Sequence, residues 1–206
     1  MKNIAVFVSG SGSNLQAVID ACNNKTVNGK ITAVISSKQG VYALKRAEEA
    51  GIDSYVFEKK SYDSADVMFG EILKLLRSKN IDLIVLAGYL SILPPSVIAE
   101  YKNRIINIHP SLIPSFCGNG FYGLKVHKAV LDYGCKVSGA TVHFVDEGTD
   151  TGAVILQKAV KVFDGDTPEK LQKRVLKEEH KLLVSAVKLF CEDKIKVVNN
   201  KAVIIK

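Results

Sequence analysis

The sequence predicts an α/β fold: a doubly wound, mostly parallel sheet flanked by helices, with antiparallel strands toward the C-terminus. Three continuous apolar runs, residues 4–8, 31–35 and 83–87, have strand length and are bounded by turn residues, as buried central strands are. Between them, residues 14–23, 42–50 and 64–79 carry apolar side chains three or four apart, the period of a helix with one buried face. Strand alternating with helix builds a parallel sheet, and such sheets take their ligands at the carboxyl ends of the strands.

The first run, Ile4-Ala5-Val6-Phe7-Val8, passes directly into a glycine loop, so it reads as a strand and not as the apolar core of a leader peptide. The helix of residues 42–50 ends at Gly51, and Pro94-Pro95 opens a short helix over 96–101. Arg104 to Pro110 is a strand closed by proline, and strands over 139–146 and 154–162 are joined by the acidic, glycine-bearing connection Glu147-Gly148-Thr149-Asp150-Thr151-Gly152. Thr167 is placed to cap a long amphipathic helix running to about Cys191, with Pro168 in its first turn. A short hairpin turning at Asn199-Asn200 completes the chain, and no repeat or low-complexity linker marks a second domain.

Composition narrows the function classes. With 206 residues, 47% of them hydrophobic, the chain supports a substantial core, and a single domain spanning 1–206 is expected. No run approaches the ~18 apolar residues of a membrane helix, so the chain is expected to be soluble and cytoplasmic, without a membrane partner. Cys22, Cys117, Cys135 and Cys191 lack any close Cys-x-x-Cys spacing, which argues for reduced thiols over a zinc knuckle or a disulfide framework. The net charge of +7 is spread along the chain without aromatic interleaving, a pattern that favours small anionic ligands over nucleic acid.

The loop Ser9-Gly10-Ser11-Gly12-Ser13-Asn14 follows the first strand and opens the first helix, where free N–H groups and the helix dipole attract an anion. Leu15 stands where the dinucleotide fingerprint requires a small residue, Ser36-Ser37 replace the acidic end of the second strand, and no Gly-Lys-Ser/Thr follows. A phosphomonoester or nucleotide fragment therefore suits the loop better than NAD or ATP. A tight turn with no ligand is the plainer use of an isolated Gly-x-Gly.

Asn107-Ile108-His109-Pro110-Ser111 is the most informative stretch. Strand alternation puts Asn107 and His109 on one face, about 7 Å apart, with Ile106 and Ile108 turned into the packing. An amide donor and a titratable ring thus meet at a strand end. A carboxylate from the following acidic connection would raise the His109 pKa and favour an imidazolium able, with Asn107, to stabilise an oxyanion. Spacing alone leaves Asp146, Glu147 and Asp150 as candidates. No cysteine or serine pairs with a base here as a covalent nucleophile would, so direct attack by a substrate amine is the simpler chemistry. His109, His127, His143 and His180 lack zinc spacing and no metal is expected; His143 and His180 read as structural or surface residues.

Residues 10–17 (Gly-Ser-Gly-Ser-Asn-Leu-Gln-Ala), 86–93 (Leu-Ala-Gly-Tyr-Leu-Ser-Ile-Leu), 107–114 (Asn-Ile-His-Pro-Ser-Leu-Ile-Pro) and 139–145 (Gly-Ala-Thr-Val-His-Phe-Val) together resemble the phosphoribosylglycinamide formyltransferases of purine biosynthesis, in order along nearly the whole chain. The resemblance implies a formyltransferase fold and transfer of a formyl group from the co-substrate 10-formyltetrahydrofolate to the amine of phosphoribosylglycinamide. It selects Asp150 as the acid, beside Asn107 and His109. It implies that Gly12, Ser13, Asn14 and Glu179 hold the phosphoribosyl substrate. It also implies that Leu90, Ser91, Ile92 and Leu93, with Asn107, Asp146 and Asp150, line the folate site. On this basis residues 1–100 form a phosphoribosyl-binding half and 101–206 a catalytic and folate-binding half, in a monomer or homodimer. Sugar-nucleotide formyl transfer and a non-catalytic phosphoribosyl-binding module are the alternatives. The chain departs from the family at Ser91 and Ala65, where some members carry arginine, at Thr151, where glycine is usual, and in the glycine-rich segment 115–123, which reads as a flap over the substrate.

Overall fold

The first apolar run becomes β1 (Lys2–Val8) in the computed structural model, which describes residues 1–205 and divides into two compact units, Met1–Ile106 and a second beginning at Asn107. In the first unit β1 pairs in parallel with β2 (Gly29–Ser36) and with β4 (Leu83–Leu86), while β3 (Ser54–Val56) lies beyond β2. The order β3-β2-β1-β4 reverses direction at β1, so the loops leaving β1 and β4 flank a topological switch point. Residues 4–8 have no exposed surface, which is why they read as an unbroken apolar run and not as an alternating one.

Helices supply the covering layers. In α1 (Ser13–Asn23), Leu15, Val18 and Ile19 form the buried stripe. In α3 (Ala65–Ser78) the stripe is Met68, Phe69, Ile72, Leu73 and Leu76, and the hydroxyl of Ser64 caps the helix by accepting from the N–H of Val67. Between them α2 (Tyr42–Glu49) buries only Ala43 and Ala47, small residues that let its backbone approach closely. The short α4 (Pro95–Glu100) has proline in its first turn. The chain enters β5 (Ile105–His109) where the N–H of Ile84 donates to the Arg104 carbonyl at 2.9 Å.

The second unit takes the end of β5, then β6 (Val137–Phe144) and β7 (Val154–Lys161) in the order β5-β6-β7, with β6 and β7 antiparallel. Gly139 in β6 admits no side chain, because a Cβ there would collide with the Lys158 carbonyl and with Leu112. The long helix α6 (Pro168–Cys191) starts as its sequence indicates, with the Thr167 hydroxyl accepting from the Lys170 N–H at 3.3 Å. Its buried stripe of Leu171, Val175, Leu183 and Val187 includes one acid, Glu179. The C-terminal hairpin, β8 (Ile195–Val198) and β9 (Lys201–Ile204), turns on Asn199 and Asn200 at φ 50° and 57°, the left-handed pair of a tight two-residue turn.

Beside the short 3-10 turn Lys59–Ser61, one strand and one α-helix lie outside the sequence expectations, β3 and α5 (Leu124–Tyr133). β3 is three residues long, too short for a period. The helix α5 follows a run of glycines that masks its start, and it buries only Val126, His127 and Val130. Among the described residues no helix is long and apolar enough to cross a membrane.

Candidate active site

The end of β5 is held in place from below. The hydroxyl of Thr141 on β6 donates to the Ser111 carbonyl at 2.7 Å and accepts from the Ile113 N–H at 3.1 Å. The amide of Gln157 on β7 donates to the same hydroxyl and to the Ile113 carbonyl, each at 2.9 Å. This network fixes the turn after His109 against the sheet, so the polar side chains of β5 and β6 stand at set distances.

Asn107, His109, His143 and Asp150 meet there. The Asn107 amide nitrogen lies 3.1 Å from His143 Nε2 and donates to Asp150 Oδ1 at 3.4 Å. His143 Nδ1 lies 2.8 Å from the Phe144 carbonyl, which can only accept, so that nitrogen carries the proton and Nε2 accepts from Asn107. Asp150 faces both rings, with Oδ2 at 3.5 Å from His109 Nδ1 and Oδ1 at 3.5 Å from His143 Nε2. Two contacts from segment 115–123 complete the cluster: His109 Nε2 donates to the Phe116 carbonyl at 2.9 Å, and the Gly118 N–H donates to Asp150 Oδ2 at 2.9 Å. Asp150 reaches this position in a left-handed conformation, φ 59°, and Gly152 follows where a Cβ would strike the Phe144 carbonyl.

Charge in the cluster follows burial and pairing together. Burial raises the Asp150 pKa, but the hydrogen bond from the Gly118 N–H and the neighbouring His143 and His109 rings outweigh it and hold the carboxyl below its ordinary value. Asp150 is a carboxylate at neutral pH. For His109 the expectation of a raised pKa is overturned. Burial is the largest effect and lowers it, His143 adds to the lowering, and the Phe116 carbonyl and Asp150 push back without prevailing. The resting ring is neutral, yet both its nitrogens face acceptors, so an imidazolium formed there is paired without rearrangement. Among the described residues no group of three His, Cys, Asp or Glu side chains is arranged to hold a metal ion.

Asn107, His109 and Asp150 are therefore brought together, and Asp150 is the acid of the connection that reaches the rings. Asp146 turns back on its own loop, accepting from the Gly148 N–H at 3.1 Å and the Thr151 hydroxyl at 2.6 Å. That second bond gives the unusual Thr151 a task, because it closes the loop that carries Asp150. His143, read from the sequence as structural, is buried in the same cluster, where it neighbours both Asn107 and Asp150. The signal was present, since Gly139, Thr141 and His143 alternate with apolar Ala140, Val142 and Phe144, a period-two polar stripe on a buried strand. Phe116 and Gly118 act through backbone groups and leave no such mark. Glu179, 7% exposed, is a buried acid on the inner face of α6.

In the first unit Gly12 is the N-cap of α1 at φ 72°, and a Cβ there would stand 2.7 Å from that of Ala43. Ser13 and Asn14 form the first turn. Arg46 of α2 braces this loop, donating to the Ser11 carbonyl at 3.0 Å and to the Gln16 side chain at 2.9 Å. In the segment after β4, Leu93 is buried, Ser91 half-buried, and Leu90 and Ile92 are 53% and 73% exposed.

The family model of the formyl transferases matches residues 2–187, and the chain is an enzyme belonging to that family. Within that family its similarity is to phosphoribosylglycinamide formyltransferases. The chloroplastic protein of that name from Arabidopsis thaliana is 44% identical over 196 residues, 95% of this chain and 67% of that protein. The one from Haemophilus influenzae is 39% identical over 202 residues, 98% of this chain and 93% of that protein. The crystal structure of glycinamide ribonucleotide transformylase 1 from Symbiobacterium toebii superposes with a TM-score of 0.95 at 39% identity, covering 100% of this chain and 95% of that one. The chain spans 67% of the length of the Arabidopsis protein and 62% of that of the chloroplastic phosphoribosylglycinamide formyltransferase from Vigna unguiculata.

Proposed function

We propose that this enzyme transfers the formyl group of 10-formyltetrahydrofolate to the amine of phosphoribosylglycinamide, releasing the N-formyl product and tetrahydrofolate in purine biosynthesis. The observation that carries the reading is Asp150, whose two oxygens address the His109 ring and the Asn107 amide at 3.5 and 3.4 Å. As the neutral amine adds to the formyl carbon, negative charge collects on the formyl oxygen. Asn107 and His109 are the donors for that oxygen; His109 takes up a proton from solvent as the substrates bind, and the Asp150 carboxylate steadies the resulting imidazolium. His109 must first release the Phe116 carbonyl, so segment 115–123 yields its bond when the site fills. The amine loses one proton and the departing folate nitrogen gains one, and Asp150 is suited to order the water that carries it.

The family resemblance supports assigning the helix-end N–H groups of Gly12, Ser13 and Asn14 to the phosphate, and it separately assigns Glu179 of α6 to the phosphoribosyl substrate. The same resemblance assigns Leu90, Ser91, Ile92 and Leu93 in the first unit, and Asn107, Asp146 and Asp150 in the second, to folate binding. The similarity to enzymes of this name and the donor set of the cluster support the assignment. The test follows tetrahydrofolate release optically, with phosphoribosylglycinamide set against a panel of other amines that includes amino-sugar nucleotides. Turnover confined to phosphoribosylglycinamide is expected. Turnover with an amino-sugar nucleotide alone, or with no amine at all, overturns the assignment.

A further inference from the structure

One hydroxyl joins the strand ends at the switch point of the first unit. Ser9 follows β1 directly, and its Oγ accepts from the Leu90 N–H at 3.0 Å, in the loop after β4. The same oxygen lies 2.7 Å from Ser37 Oγ, at the end of β2. Because Ser9 accepts from Leu90, its own proton is available to Ser37, and Ser37 is anchored in turn by donating its N–H to the Val8 carbonyl at 3.2 Å. Ser9 is only 7% exposed, so water is a poor substitute for it.

Each loop departs from this point. Gly10 to Asn14 continues from Ser9 into α1, and its path is set by Gly12 against Ala43 and by Arg46 on the Ser11 carbonyl. On the other side, the rings of Tyr89 and Phe7 of β1 meet in a T-shaped contact, with centroids 5.2 Å apart. The Leu90 N–H on Ser9 is the next attachment along the chain, and beyond it Leu90 and Ile92 turn their side chains outward. The backbone of an otherwise exposed segment is thus tied to the start of the glycine loop.

We propose that Ser9 is a positioning residue that couples the two substrate-binding loops: its hydroxyl ties the segment of Leu90 to Leu93 to the root of the phosphate loop, so that ordering either one favours the other. The proposal rests on the reading that these loops take the folate and the phosphoribosyl substrate. Neither substrate touches Ser9 in this account. Its loss therefore acts on binding of both and spares the chemical step, which belongs to Asn107, His109 and Asp150.

The experiment compares wild type, Ser9→Ala and Ser9→Thr. It measures the KM for each substrate and kcat in formyl transfer, and amide hydrogen exchange at Leu90 in the ligand-free protein. Ser9→Ala is expected to raise both KM values about tenfold, the scale of one lost hydrogen bond, with kcat nearly unchanged and faster exchange at Leu90. Ser9→Thr, which keeps the hydroxyl, restores exchange protection and both KM values. The proposal is overturned if Ser9→Ala changes only one KM or neither, or if it lowers kcat and thermal stability with both KM values intact. A wild-type enzyme that does not turn over these substrates sinks the functional reading and this inference together, whereas normal wild-type turnover with unaltered Leu90 exchange in Ser9→Ala sinks the inference alone.

Discussion

Acidification is expected to weaken this protein through His127, a residue outside the catalytic cluster. The side chain is 1% exposed on the inner face of α5, and its Nδ1 has no hydrogen-bond partner among the described residues. Burial, assisted by the charge of nearby His109, pushes its pKa from 6.5 down to about 4. Below pH 6.5 the unfolded chain takes up a proton that the folded chain refuses, so stability falls as pH drops from about 6.5 and levels off below about 4, where both states are protonated. The difference of about 2.5 pKa units corresponds to about 3 kcal/mol over the full window, of which about 2 kcal/mol is already lost at pH 5. His109 is lowered as well and adds in the same direction, so the contribution of His127 is isolated by difference. Urea unfolding of wild type and His127→Gln between pH 7.5 and 4.5 provides that difference. Wild type should lose about 2 kcal/mol more than the variant on going from pH 7.5 to 5. Equal losses in the two proteins would refute the account of a neutral ring with an unpaired Nδ1.

Three other outcomes follow from particular contacts. Gly12→Ala combines a left-handed backbone with a Cβ 2.7 Å from Ala43, so urea unfolding should show a loss of about 1–2 kcal/mol and steady-state kinetics a raised KM for the phosphorylated substrate. His143→Ala strips Asn107 of the acceptor at 3.1 Å and Asp150 of one neighbour, which should lower kcat about tenfold with little change in either KM, measured by tetrahydrofolate release. Gly152→Ala forces a side chain against the Phe144 carbonyl and displaces the loop bearing Asp150, so kcat should fall although residue 152 itself touches no substrate.

Much of this molecule can be read from its sequence because burial leaves a periodic trace. The fully buried β1 reads as an unbroken apolar run, and α6 announces both its cap at Thr167 and its stripe from Leu171 to Val187. The pairing of Asn107 with His109 on one face follows from strand alternation alone, whereas the choice of Asp150 over its acidic neighbours needed the family resemblance. The left-handed backbone of Asp150 and the Thr151 hydroxyl on Asp146 show how that choice is realised. What remained hidden lies where backbone groups act or where two effects oppose. Phe116 and Gly118 work through a carbonyl and an N–H that any residue carries. The direction of the His109 shift depends on burial exceeding the pull of Asp150, a comparison that needs distances and exposure. Ser9 and Ser37 sit 28 residues apart, and their contact exists only once β1 and β2 are paired.

The role of Asp150 is tested most directly by the turnover number of Asp150→Asn with both substrates saturating. The variant keeps the size of the side chain and removes its charge from beside His109 and His143. A fall in kcat of about 100-fold or more, with both KM values within a few-fold of wild type, is the expected result. An unchanged kcat would contradict the claim that this carboxylate sustains the charge on which formyl transfer depends.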